Sequence, residues 1–145
     1  MDDTVIQQPV SADVSYDADF YAWAMDQGRK LRAGHLTALD LPNLAEEIES
    51  TGRAEKRELT NRLAVLLTHL LKWAVQPARQ GQSWTASLRE QRLQAGLILR
   101  DNPSLRPMLP EILEDAYSIG QNRAQGETKI PATAFPATCP WGRGC

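Results

Sequence analysis

Apolar residues recur at helical spacing in four segments of the chain, and no segment alternates between apolar and polar residues as a strand would. The first segment covers residues 17–33. Asp17 and Asp19 stand near its start, where negative charge stabilises a helix, and Gly34 follows its end. The residues at both ends of this segment are therefore those expected for a single helix.

The second segment, residues 42–76, is the longest and the most apolar. Asp40 is a good N-cap for it, and Pro77 ends it. As one rod, these 35 residues would be about 52 Å long, whereas a compact domain of 145 residues has a radius of gyration of about 15 Å. Ser50-Thr51-Gly52 is the weakest stretch for a helix, so we expect a break or bend there, with one protruding rod as the alternative.

Two further helices are predicted after Pro77. Ser83 is the expected N-cap of a helix over residues 84–100. The last helix has apolar positions at regular spacing over residues 105–120. Two prolines in its first turns predict that its regular part starts near Leu109.

These elements predict an all-α fold, an up-and-down helical bundle of four to five helices with an extended Pro-rich C-terminal tail. We expect a mobile N-terminal arm over residues 1–15, a helical bundle domain over 16–126 and an extended tail over 127–145. Phe135 and Trp141 are the tail residues expected to pack against the bundle.

Several segments resemble one known family. They are YDADFYAWAMDQGRKLRAG, LDLPNLAEEIESTGRAEKREL, LLTHLLKWAVQPARQGQSWTASLREQR, NPSLRPML and FPATCPW, in that order. Together they resemble the bacterial family known as domain of unknown function 29, over about residues 16–141. The resemblance implies a small helical protein and implies no particular activity, cofactor or catalytic residue. Family members tend to continue past the CPW-like segment into an apolar stretch, where this chain has Gly142 to Cys145.

Composition narrows the class of protein further. Hydrophobic residues make up 42% and charged residues 23% of the chain, with a net charge of -2, as in ordinary globular domains. The most apolar run, residues 63–75, is too short to span a membrane, and residues 1–17 do not resemble a secretory signal. The only cysteines, Cys139 and Cys145, make neither a disulfide framework nor a metal cage. We expect a cytoplasmic protein with no membrane segment and no cofactor.

A local excess of positive charge falls within residues 72–92, although the whole chain is acidic. Basic residues interleaved with aromatic ones can contact phosphates and stack on bases. Alternatively, the tryptophans close one end of the bundle while the basic residues form ion pairs. The candidate binding residues are Lys72, Trp73, Arg79, Trp84, Arg89 and Arg92.

A second candidate site is a polar cluster of Glu46, Glu49, Arg57 and His69. Carboxylates and imidazoles that project into a helical bundle can hold metal ions, usually through Glu-x-x-His pairs. Leu66 stands three residues before His69, so that pair is missing. We therefore expect His69 to be structural, hydrogen-bonded to a neighbour, and we expect no metal.

Three functions follow in order of preference. The first is a non-catalytic interaction or regulatory module whose partner is another protein. The second is a nucleic-acid-associated module that uses residues 72–92. The third is a metal-dependent enzyme centred on Glu46, Glu49 and His69. The sequence favours a non-catalytic role, and it predicts no oligomeric state.

Overall fold

The computed structural model describes residues 14–77 and 81–141, and within these ranges it contains four α-helices and no strand. The all-α prediction is confirmed. The predicted arm, residues 1–15, lies almost entirely outside the described residues. The helices are α1 (Phe20–Ala33), α2 (Leu41–Val75), α3 (Gln82–Asp101) and α4 (Leu109–Thr128).

The chain divides into two compact units, Met1–Thr51 and Gly52–Cys145, and helix α2 contributes to both. The described part of the first unit contains α1, a 3-10 turn at Leu36–Ala38 and the start of α2. The second unit contains the rest of α2, then α3 and α4. None of the described helices is long and apolar enough to cross a membrane.

Helix α2 runs without interruption for 35 residues, so the break predicted at residues 50–52 is wrong. A glycine in a helix costs only about 1 kcal/mol relative to alanine. The hydroxyl of Thr51 donates to the backbone carbonyl of Glu47 at 2.9 Å, so this polar group is satisfied inside the helix. The weak helix formers at these positions are therefore accommodated.

Helix α1 begins at Phe20, three residues later than predicted, and it ends at the predicted C-cap. A carboxylate oxygen of Asp19 accepts a hydrogen bond from the backbone N–H of Ala22 at 3.0 Å. Gly34 ends the helix with a φ of 75°, a left-handed conformation that glycine adopts without steric cost.

The start of α3 differs from the prediction. The helix begins at Gln82 and its N-cap is Gly81, which makes no side-chain cap bond, so the assignment of Ser83 as N-cap is wrong. Glycine is an acceptable N-cap because its backbone readily adopts the extended conformation required there. Regular helix α4 begins at Leu109, as predicted, after a 3-10 segment at Pro103–Met108.

The core of the second unit lies where α2 and α4 cross. Leu59, Leu67, Leu71 and Ile112 are fully buried. At Gly120 the two helices approach closely, because a Cβ atom there would lie 3.3 Å from both Leu67 Cβ and Thr68 N. The absence of a side chain at this position permits the close packing.

The C-terminal tail contacts this core. Phe135 is buried, and Trp141 packs against the same cluster. The carbonyl of Pro136 accepts hydrogen bonds from the Tyr117 hydroxyl at 2.6 Å and from the Gln121 amide at 2.8 Å. Both aromatic residues named from the sequence therefore lie on the second unit.

Candidate functional site

His69 lies on α2, and both of its ring nitrogens face side chains of α3. The indole N–H of Trp84 donates a hydrogen bond to Nδ1 of His69. The hydroxyl of Ser87 lies 3.1 Å from Nε2. The rings of His69 and Trp84 meet edge to face, with centroids 6.0 Å apart.

The Trp84 contact determines the protonation state of His69. Because an indole nitrogen is only a donor, Nδ1 must be the acceptor, and the ring is neutral with its proton on Nε2. Nε2–H then donates to the Ser87 hydroxyl. Burial lowers the pKa of His69, the Lys72 charge lowers it further, and Glu127 opposes the change. His69 in this tautomer does not accept a proton from Ser87, so the pair is not a nucleophile with its base.

Lys72 is also occupied by internal contacts. Its ammonium group forms an ion pair with Glu127 at 2.5 Å and lies 5.7 Å from the centre of the Trp84 ring. Two of the six residues predicted to bind a polyanion, Lys72 and Trp84, thus connect α2, α3 and α4 to one another.

The other predicted binding residues are distributed differently. Arg79 lies outside the described residues. Trp73 is 40% exposed on α2. Arg89 and Arg92 are exposed on α3, and neither forms an ion pair or a hydrogen bond with another residue of ranges 14–77 and 81–141.

A cavity of about 500 Å³ opens beside these residues in the second unit. Leucine side chains from α2, α3 and α4 make up most of its wall, and Trp73 and Trp141 complete it. Gly96 also lines the cavity, and the space that a side chain would occupy at this position is open. Arg92 is the only charged side chain among the described residues that line it.

An adjoining depression extends this surface along α3. Leu88 and Arg92 line both cavities, and Arg89 and Leu93 line the second. Leu93 is 56% exposed. We call this continuous surface the α3 groove: the cavity together with Trp73, Leu88, Arg89, Arg92 and Leu93. Sequence reasoning identified three of its residues, but it placed them in a polyanion site.

The family model described as "Domain of unknown function DUF29" matches residues 15–143 of the chain. The chain belongs to the DUF29 family. The resemblance noted in the sequence is thereby confirmed. No curated protein and no solved structure is significantly similar to the chain.

In this DUF29 chain the four residues of the predicted polar cluster are divided between the two units. Glu46 and Glu49 belong to the first unit, whereas Arg57 and His69 belong to the second, and α2 contains Gly52 without a break. Within the described residues, no three His, Cys, Asp or Glu side chains are grouped so that they could hold a metal ion.

Arg57 lines a shallow cavity of about 590 Å³ on α2 and α4. Lys56 and Asp115 line the same cavity, and Lys56 is paired with Glu111 at 2.9 Å. Cys139 is a half-buried free thiol, and Cys145 lies outside the described residues.

Sequence reasoning missed a polar network in the first unit. The Tyr16 hydroxyl donates to a carboxylate oxygen of Glu47. The indole N–H of Trp23 donates to Asp40 at 2.9 Å, and the backbone N–H of Asp40 donates to Gln27 at 2.8 Å.

The same network lowers the pKa of Asp40. The chief cause is a hydrogen bond from Asn43, and the bond from Trp23 adds to it. The helical spacing of Trp23 signalled only an apolar face, because spacing does not show where an indole N–H points.

Proposed function

We propose that the second unit is a non-catalytic interaction module that binds an apolar segment of another protein at the α3 groove. One observation carries the proposal: an apolar cavity of about 500 Å³ lies open beside large exposed side chains. Pockets that hold ligands have volumes of about 300–1,000 Å³ and mainly hydrophobic walls.

The residues around the cavity also have the composition of a binding surface. Tryptophan and arginine are enriched among the side chains that contribute most to protein interfaces. Trp73 and Arg92 line the cavity, and Leu93 stands exposed at its edge. A partner's side chain in the cavity would remove this apolar surface from water, which stabilises a complex by about 25 cal/mol per Å² before the costs of association.

The contacts of His69 support a non-catalytic role. Its ring nitrogens are used by Trp84 and Ser87, and the resulting tautomer is unsuited to general-base catalysis on that serine. These contacts give His69 a structural role, because they connect α2 to α3.

Nucleic-acid binding by residues 72–92 is the weaker alternative. Lys72 and Trp84 are engaged within the protein, which leaves Arg89 and Arg92 as the described basic residues for phosphates. Two phosphate contacts would provide little affinity at physiological salt.

A cavity-filling variant tests the proposal. In Gly96→Leu the new side chain enters open space, because a Cβ at this position meets no atom within 4 Å. Leucine is a better helix former than glycine, so the variant should fold at least as stably as the wild type. Gly126→Leu on α4 is the matched control, since Gly126 is also exposed and also faces open space.

Affinity capture with the tagged full chain, with and without nuclease, is the measurement. We expect one protein partner to be retained by the wild type and by Gly126→Leu and to be lost with Gly96→Leu, whether or not nuclease is present. Capture that disappears with nuclease would favour the nucleic-acid alternative. Capture that Gly96→Leu leaves unchanged would contradict the assignment of the α3 groove.

A further inference from the structure

We infer, on the basis of the proposed function, that the segment bound at the α3 groove is an acidic amphipathic helix. Its apolar side chains enter the cavity, and its carboxylates contact Arg89 and Arg92.

The charges of the second unit give the first argument. Several of its basic residues already have acidic partners, such as Lys56 with Glu111, at 2.9 Å, and Lys72 with Glu127, at 2.5 Å. Arg89 and Arg92 have no such partner among the described residues, although they stand beside an apolar cavity. A ligand with carboxylates next to its apolar side chains would complement both features.

The geometry of α3 shows why two arginines act together. Thr85, Leu88, Arg89 and Arg92 line one depression, and each lies three or four residues from two of the others, so they share one face of the helix. The face continues to Gly96, and from residue 85 to residue 96 it extends about 16 Å at 1.5 Å per residue. A helix of three turns would lie along such a face.

The lining of the cavity indicates the conformation of the ligand. An extended peptide would need hydrogen-bond partners for its backbone, and leucine side chains offer none. The described part of the chain has no strand edge to which a peptide could be added. A helix satisfies its own backbone groups and presents an apolar stripe, as helices bound in grooves do.

The negatively charged groups of a fatty acid or a nucleic acid would also pair with Arg89 and Arg92. The depression with Arg89 and Leu93 continues the cavity along α3, so the surface is longer than a single enclosed pocket. Mostly aliphatic walls favour leucine-like side chains over stacked bases. The observations therefore favour a protein segment, and the other ligands are included in the test.

Three labelled peptides of about 16 residues, long enough to form a helix, are the probes. All carry leucine at positions i, i+3, i+4 and i+7, and the remaining positions are mainly glutamate, glutamine or lysine. Fluorescence anisotropy with the full chain at low salt measures their affinity. We expect the glutamate peptide to bind most tightly and the lysine peptide most weakly. Gly96→Leu should abolish binding, and Gly126→Leu should preserve it.

Reversing the charge of the two arginines tests the charge preference directly, because an inverted preference could not result from a loss of folding. In the double variant Arg89→Glu/Arg92→Glu we expect the preference to invert, so that the lysine peptide binds most tightly. Each exposed pair should change affinity by about fivefold, or about 1 kcal/mol. The double variant Arg57→Glu/Arg123→Glu changes the net charge equally, at residues of α2 and α4 that do not line the groove. It should keep the preference for the glutamate peptide.

Each contrary result has a distinct meaning. Equal binding of all three peptides, still abolished by Gly96→Leu, would overturn the acidic partner and leave the proposed function standing. A preference for the lysine peptide would do the same. Displacement of the glutamate peptide by dodecanoate or by a single-stranded oligonucleotide at lower concentration than by unlabelled peptide would assign the groove to that ligand. If Gly96→Leu changes the binding of no peptide, the proposed function fails as well.

Discussion

The indole N–H of Trp84 donates a hydrogen bond to Nδ1 of His69, and this contact joins α3 to α2. It places the imidazole proton on Nε2, which lies 3.1 Å from the Ser87 hydroxyl. Lys72 completes the arrangement by pairing with Glu127 on α4 at 2.5 Å. His69, which the sequence predicts to be hydrogen-bonded to a neighbour, thus connects helices in the folded protein.

The burial of His69 predicts a specific dependence of stability on pH. Burial lowers the pKa of His69 below its ordinary value of 6.5, so the unfolded chain takes up this proton at a higher pH than the folded protein does. Proton uptake then favours unfolding. The contribution of His69 to the free energy of unfolding should be complete above about pH 6.5 and should decline as the pH falls from 6.5 through the lowered pKa. Chemical denaturation across this range measures it.

Two variants serve as controls for the pH experiment. His69→Gln removes the titrating group, so its stability should fall less steeply over the same range. Trp84→Phe removes the N–H donor and keeps an aromatic ring, so the pKa of His69 followed by NMR should rise. A wild-type His69 that titrates at or above 6.5 would contradict the neutral, hydrogen-bonded assignment.

Sequence reasoning succeeded where the determinants are local. Gly34 ends α1 through a bond from its backbone N–H to the carbonyl of Leu31, and such a C-cap can be recognised in a sequence. Leu109 starts α4 because the preceding prolines keep the chain out of a regular helix.

It failed where a local preference is outweighed or where tertiary contacts decide. The helix-breaking tendency at Gly52 costs about 1 kcal/mol, too little to interrupt a long helix. Trp84 and His69 are 15 residues apart on different helices, and their contact depends on how α3 returns along α2. The α3 groove likewise combines residues of three helices and the tail, so the spacing of Arg89 and Arg92 alone did not reveal the cavity.

Two leucines on α2 should differ in their contribution to stability. Leu67 is fully buried, so Leu67→Ala should lower the free energy of unfolding by about 2–5 kcal/mol. Leu70 is half-buried and lines the open cavity, so Leu70→Ala should cost about 1 kcal/mol or less. Urea denaturation of both variants measures the difference. Equal losses would mean that the cavity is closed in solution.

Two glycines on α4 should respond in opposite ways to alanine. At Gly120 a Cβ would lie 3.3 Å from Thr68 N and 3.4 Å from Ala64 O, and these backbone atoms of α2 cannot move aside independently. Gly120→Ala should therefore cost about 1–3 kcal/mol. Gly126 faces open space, so Gly126→Ala should stabilise the protein by up to about 1 kcal/mol. Thermal denaturation measures both effects. If both variants were more stable than the wild type, the close approach of α2 and α4 would be contradicted.

Tyr16, in the first unit, forms a side-chain hydrogen bond that should be visible in its titration. Its hydroxyl donates to the carboxylate of Glu47, and this bond is the main cause that raises the pKa of Tyr16 from 10.0 to about 12. Ionisation would remove the donor and place a phenolate beside a carboxylate.

NMR of protein with tyrosine labelled at Cζ should therefore show Tyr16 titrating near 12, and in Glu47→Gln its pKa should fall towards 10. Glu46→Gln is the matched control, because the charge of Glu46 raises the pKa of Tyr16 less than the Glu47 bond does. The contribution of this bond to stability should be complete below pH 10 and should be lost as the pH rises towards 12. A Tyr16 pKa near 10 in the wild type, or one that Glu47→Gln leaves unchanged, would show that the Tyr16–Glu47 bond does not form in solution.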